Sequence, residues 1–115
     1  MGRPIQLSHR LVVVVGRVKE YMDKHPLENK TTEELAFFGG ISRNLLQKAF
    51  KEIHGIHVKE YYTTQKLKSA KRMLKEGMPI RQVARHCHYR SHSAFTTAFK
   101  NKFGIAPMVW LKKKG

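Results

Sequence analysis

The feature that most constrains this chain is that part of it is written twice. The stretch from Ser42 to Tyr61, SRNLLQKAFKEIHGIHVKEY, returns from Ser91 to Trp110 as SHSAFTTAFKNKFGIAPMVW. Phe50, Lys51, Gly55, Ile56 and Tyr61 match Phe99, Lys100, Gly104, Ile105 and Trp110 at identical spacings. Upstream, Ala36 of Leu35-Ala36 lies 14 residues before Phe50, whereas Ala84 of Val83-Ala84 lies 15 before Phe99, so the repeat includes a one-residue indel. In 115 residues, two such units make one domain or two small lobes, each marginal alone because small units bury surface poorly.

Each unit reads as helix, tight turn, helix. Thr31 and Glu34 have the spacing of a capping box, which starts a short helix running through Phe38 and ending at Gly39-Gly40. The Ser42 hydroxyl suits the cap of a second helix, Arg43 to about Ile53, with Leu46, Ala49, Phe50 and Ile53 as its buried stripe and Gly55 as its stop. In the second unit Pro79 fits the first turn of a helix through Cys87, and a turn follows at His88 to Arg90. Ser91 then caps a helix to Phe103 whose inward side is Phe95, Ala98, Phe99 and Phe103.

Three further helices complete an all-α chain. Leu11, Val14, Val15, Val18, Tyr21 and Met22 mark one face of a helix from Leu11 to Lys24, although its valine run has strand preference. Val58 to Glu76 reads as one long helix stopped by Gly77. Its apolar side is Tyr61, Leu67, Ala70, Met73 and Leu74, with Lys66, Lys68, Lys71, Arg72 and Lys75 mostly elsewhere. Its 19 residues would span roughly 28 Å at about 1.5 Å each, a strut able to hold two lobes apart. Pro107 to Leu111 is a short turn or helix. The expected organisation is a loose tail over 1–10, lobe one over 11–57, the connecting helix over 58–76, lobe two over 78–111 and a basic tail over 112–115.

Charge points to the partner. Twenty-three basic against eight acidic residues give +15. Residues 1–40 hold 6 Lys/Arg and 5 Asp/Glu, and residues 41–115 hold 17 and 3, so the two parts carry +1 and +14. The excess begins where the repeat begins, which fits a polyanion bound by the repeats better than a basic surface spread evenly for solubility. No apolar run approaches the roughly 18 residues of a membrane helix, and MGRPIQLSHRL does not read as a secretory signal, so a cytoplasmic location is expected. The single cysteine, Cys87, fits a reducing compartment.

Little in the chain suggests catalysis. No nucleophile with a base, glycine-rich phosphate loop or carboxylate pair emerges, so neither an enzyme nor a cofactor is expected. His86, Cys87, His88 and His92 form the only metal-like cluster. Adjacent residues on a helix point in different directions, and Cys87 ends an apolar face as a small buried hydrophobe would, so no metal is expected. Phe37-Phe38, Tyr61-Tyr62 and Trp110 fit core packing better than stacking on a single strand.

Leu35-Ala36, Ile41-Ser42, Phe50-Lys51, Gly55, Leu67, Ala70, Val83-Ala84, Tyr89, Phe95, Phe99-Lys100, Phe103-Gly104 and Pro107 together make nearly the whole chain, about Leu11 to Leu111, resemble the DNA-binding domain of the AraC/XylS transcription regulators. The resemblance implies seven helices forming two helix-turn-helix lobes around a connecting helix. It further implies double-stranded DNA as partner, RNA polymerase as a second one, and, in a longer protein, an effector or dimerisation domain. Where the family places a glycine in the second turn this chain has His88, a residue tolerated at positive φ. Lys48 and Thr97 stand where the family often has arginine, so its sequence preference is expected to be its own.

Once the apolar stripe of the first repeat helix points inward, Ser42, Arg43, Asn44, Gln47, Lys48 and Lys51 are left outside. A helix entering a major groove presents its first turns to base edges, so Arg43, Asn44, Gln47 and Lys48 are the candidates for base or phosphate contact. The second helix offers Arg90, Ser91, His92, Ser93, Thr96, Thr97 and Lys100, of which the resemblance places base contacts near His92, Ser93, Thr96 and Thr97. Ser42, Lys51, Arg90, Ser91 and Lys100 are the phosphate candidates. Neither first turn, Arg43 to Leu45 or His92 to Ala94, holds an acid, which leaves those helix starts open to phosphate. A monomer reading an asymmetric site is expected, because the two helices differ at most exposed positions. Two other readings stay open: a non-specific RNA or polyanion-binding module, and an interaction module whose Val58 to Glu76 helix binds an acidic protein.

Overall fold

A computed structural model describes residues 6–114. It contains seven helices and, among the described residues, no strand: α1 His9–Lys24, α2 Thr32–Gly39, α3 Arg43–His54, α4 Val58–Lys75, α5 Ile80–His86, α6 His92–Phe103 and α7 Pro107–Lys114. The chain divides into two compact units, one ending at Thr63 and the other beginning at Thr64, so the turns of α4 are shared between them. The loose tail expected over 1–10 is shorter than that, because Ser8 caps α1 and accepts from the Leu11 amide at 3.1 Å. Met1–Ile5 of that tail lie outside the described residues. The basic tail expected from Lys112 is helical through Lys114, and Gly115 lies outside the described residues.

The first unit closes around Val15, Val18, Met22, Leu35, Leu46, Ala49, Phe50 and Val58, all but excluded from solvent. These positions belong to one stripe each of α1, α2, α3 and the start of α4, and burying such stripes is what holds short helices that would not persist alone. The α2 cap is a true capping box: Thr31 Oγ1 accepts from the Glu34 amide at 3.1 Å, and Glu34 Oε1 accepts from the Thr31 amide at 2.8 Å. The expected glycine pair has two separate tasks. A Cβ on Gly39 would stand 2.9 Å from Val14 Cγ1, so a bare backbone is needed there, whereas Gly40 takes the left-handed turn at φ 72°.

The second unit packs Leu67, Ala70, Met73 and Leu74 of α4 with Val83, Ala84, Cys87, Phe95, Phe99, Pro107 and Trp110. Phe99 is the hub of an aromatic chain, with ring centroids 5.8 Å from Phe95, 4.7 Å from Phe103 and 6.0 Å from Trp110. Two lysines read from sequence as lying away from this core instead cover it. Lys66 lies over the Tyr89 ring at 4.5 Å, and Lys71 over Phe103 at 3.7 Å and Trp110 at 5.1 Å. A second correction concerns Phe37 and Phe38, expected in the core: they are 87% and 54% exposed. The eight residues of α2 bury only Leu35 and Ala36 fully, and the next two positions turn outward.

Candidate nucleic-acid interface

The repeat seen in the sequence is a repeat of hydrogen bonds. In the first unit the Gly40 amide donates to the Phe37 carbonyl and the Ile41 amide to Ala36, both at 3.0 Å. In the second, the His88 amide donates to Arg85 and the Tyr89 amide to Ala84, again at 3.0 Å. His88 takes the positive φ of Gly40's position, 64° against 72°. From there the chains part by one residue. Ser42 follows Ile41 directly, whereas Arg90 stands between Tyr89 and Ser91, so Arg90 is the inserted residue of the second copy. Each serine then caps its helix, accepting from Leu45 at 3.1 Å or Ala94 at 3.0 Å. Gly55 and Gly104 close both helices in left-handed conformations, their amides 2.8 Å from the Lys51 and Lys100 carbonyls.

On α3 the structure leaves Ser42, Arg43, Asn44, Gln47, Lys48 and Lys51 exposed, along the side opposite Leu46, Ala49 and Phe50. Lys51 is partly committed, since its amine donates to the Gly55 carbonyl at 3.3 Å and so caps its own helix. No acidic side chain stands in the first turn of α3 or α6, where the helix dipole favours an anion.

The equivalent face of α6 differs. His92, Ser93, Thr97 and Lys100 are exposed, as are Arg90 and Ser91 before the helix. Thr96, at the repeat position of Gln47, is only half exposed, and its Oγ1 is fully covered without a hydrogen-bond partner. A rotation about χ1 would be needed to present that hydroxyl to a ligand. Around this helix start lies an open concavity of about 670 Å³, lined by Arg81, Arg85, Tyr89, Arg90, His92 and Thr97 among others. Sequence reasoning missed Arg81 and Arg85. They sit four apart on α5, where i and i+4 share a face, and that spacing was the available signal.

The candidate metal cluster does not assemble. Cys87 is buried among apolar groups, with its thiol donating to the Lys66 carbonyl at 3.9 Å, while His86, His88 and His92 are exposed. Burial pushes the Cys87 thiol up to about 11, so it stays protonated at neutral pH. Among the described residues no three His, Cys, Asp or Glu side chains stand together to hold a metal. Nor is any described helix long and apolar enough to cross a membrane.

A family model described as a helix-turn-helix domain matches residues 35–113, from the middle of α2 into the last turn of α7. The chain therefore belongs to this helix-turn-helix family, in its AraC-type form. The family is one of transcription-regulator DNA-binding domains and not of enzymes. Among relatives, the HTH-type transcriptional regulator GbdR of Pseudomonas aeruginosa is 32% identical over 107 residues, covering 90% of this chain and 29% of GbdR. Among solved structures, a regulator with an AraC-type DNA-binding domain from Chromobacterium violaceum superposes with a TM-score of 0.83 at 24% identity, over 90% of this chain and 94% of that one. The DNA-binding domain of AdpA, solved in complex with a target DNA, superposes with a TM-score of 0.78 at 24% identity, over 86% and 90% of the two chains. The chain spans about a third of the length of the curated relatives it matches.

Proposed function

We propose that this chain binds double-stranded DNA sequence-specifically to regulate transcription, as a monomer whose α3 and α6 read different parts of one asymmetric site. The observation that carries the reading is the duplicated unit itself: a serine-capped helix following a tight left-handed turn, twice, each with a polar outer face and no acid in its first turn. A helix start of this kind suits a phosphate, and its first turns suit base edges. The solved AdpA domain of the same fold, bound to its target DNA, supports duplex DNA over RNA as the polyanion.

The two helices divide the work unequally in this proposal. Arg43, Asn44, Gln47 and Lys48 supply hydrogen-bonding groups long enough to reach base edges, Arg or Lys toward guanine and Asn or Gln toward adenine. His92, Ser93 and Thr97 are shorter, and the arginines beside them, Arg81, Arg85 and Arg90, carry the charge that holds phosphates. Ser42, Ser91, Lys51 and Lys100 complete the backbone contacts, and entry of the two helices into adjacent major grooves gives one chain two footholds. RNA polymerase as a further partner and a cytoplasmic location belong to the same reading. Binding to a random duplex and to a duplex selected from a random pool, compared at rising salt, tests it. The selected duplex is expected to bind more tightly at every salt concentration, with both affinities falling steeply. Equal affinity for the two would leave the non-specific polyanion reading.

A further inference from the structure

The face of α2 that turns away from the core has a different chemistry from the rest of the chain. Phe37 is 87% exposed and Phe38 54%, side by side on a helix already anchored by the buried Leu35 and Ala36. With Tyr21, whose ring lies 4.9 Å from that of Phe38, they line an open concavity of about 770 Å³ whose remaining walls are Lys30, Thr31, Glu33, Glu34 and Leu35, two carboxylates against one amine. The charge here is inverted. Residues 28–38 hold three glutamates, Glu28, Glu33 and Glu34, and one lysine, Lys30, for −2, so the remainder of this +15 chain carries +17.

We infer that this surface is a docking site for a basic amphipathic helix of a partner protein. Its apolar residues would seat on Phe37, Phe38 and Tyr21, and its lysines or arginines would face Glu33 and Glu34. The volume suits the anchor side chains of a helix laid in a groove, and an exposed aromatic cluster ringed by polar groups is what such surfaces present. Charge chooses the occupant. A basic helix is repelled by the chain as a whole and attracted to this acidic, aromatic-lined patch, so its approach is both steered and placed. The same carboxylates turn away a phosphate backbone, which separates this site from the DNA reading of the repeat helices and makes it independent of that reading.

The test uses the full chain, labelled with nitrogen-15, and two synthetic helical peptides of identical leucine pattern, one with lysine and one with glutamate at every polar position. The lysine peptide is expected to shift the amides of Tyr21, Thr31 and Glu33 through Phe38, and Phe37→Ser to weaken its binding about tenfold. Because Phe37 is so exposed, that variant should keep the amide spectrum of the rest of the chain. Glu33→Lys, which leaves the aromatic residues in place, should also abolish the shifts. The proposal is overturned if the lysine peptide leaves α2 unmoved, if the glutamate peptide shifts the same amides, or if random duplex DNA does. It is equally overturned if the chain alone self-associates through this face and Phe37→Ser disperses it, since the occupant would then be a second copy.

Discussion

The two lobes share a backbone and differ in where they keep their charge. Around the first turn, α2 contributes Glu33 and Glu34, and the cations and amides stand on α3 as Arg43, Asn44, Gln47 and Lys48. Around the second, α6 offers His92, Ser93 and Thr97, while Arg81 and Arg85 on α5 and the inserted Arg90 supply the positive charge. The same hydrogen-bonded scaffold thus supports a helix that carries its own cations and amides and a helix flanked by arginines. What the difference teaches is that the turn, the caps and the Phe50/Phe99 hub are fixed by folding, and the outer positions are free to diverge.

Substitutions at the matched hubs would separate the lobes most strongly. Phe50→Ala and Phe99→Ala, both at fully buried positions, should each cost about 3–5 kcal/mol, read as a loss of thermal stability. Amide exchange should rise first in the lobe that carries the substitution. An equal rise in both would show a single cooperative unit and end the distinction.

Next in size comes the arginine pair of α5. Arg81→Ala with Arg85→Ala should lower affinity for all duplexes alike, and should flatten the log-log salt dependence by about 1.8, near 0.9 for each lost phosphate contact. An unchanged slope would remove these residues from the phosphate face.

A smaller effect is expected at the turns, where glycine and histidine hold the same backbone. His88→Gly should stabilise the chain by about 1 kcal/mol and Gly40→His should cost about 1–2 kcal/mol, because only glycine adopts positive φ without a Cβ penalty. Chemical denaturation of the two variants measures both. If His88→Gly destabilises, the interactions of the histidine side chain outweigh the strain.

The smallest effect is a pH response confined to lobe one. Burial, with Lys19 nearby, holds His54 below its ordinary value of 6.5, although Asp23 opposes this, and its Nε2 is covered without a partner. A depressed folded value means the unfolded chain takes up the proton first. The associated stability is therefore complete above about pH 6.5 and is lost as pH falls through the folded value. Denaturation of wild type and His54→Gln between pH 8 and 5 should show the wild type losing more. Parallel curves would mean that His54 titrates as it does in the unfolded chain.

Where the chain obeyed local rules, the sequence was readable. The capping box at Thr31 and Glu34, the serine caps, the glycine stops and the one-residue shift follow from backbone hydrogen bonding within a few residues, and each is present. The exposed side of α3 was readable for the same reason, since its buried stripe fixes the opposite side. What could not be read depends on neighbours distant in sequence. Helical spacing alone did not reveal that α2 has no partner for Phe37, that Lys66 and Lys71 lie over aromatic rings, or that the Thr96 hydroxyl is covered where Gln47 is open. Arg81 and Arg85 went unread because α5 is only seven residues long and its relation to α6 is tertiary.

The central claim is that α3 reads sequence while the arginines around α6 mainly hold the backbone. Selection from a random duplex pool, sequenced for wild type, Gln47→Ala with Lys48→Ala, and Arg81→Ala with Arg85→Ala, tests it most directly. The account predicts an asymmetric wild-type site. In the α3 variant, preference should be lost over one part of that site, at about 1–3 kcal/mol for each base pair read, and in the arginine variant the same site should be recovered at lower affinity. A two-fold symmetric site, or loss of the same base positions in both variants, would contradict it.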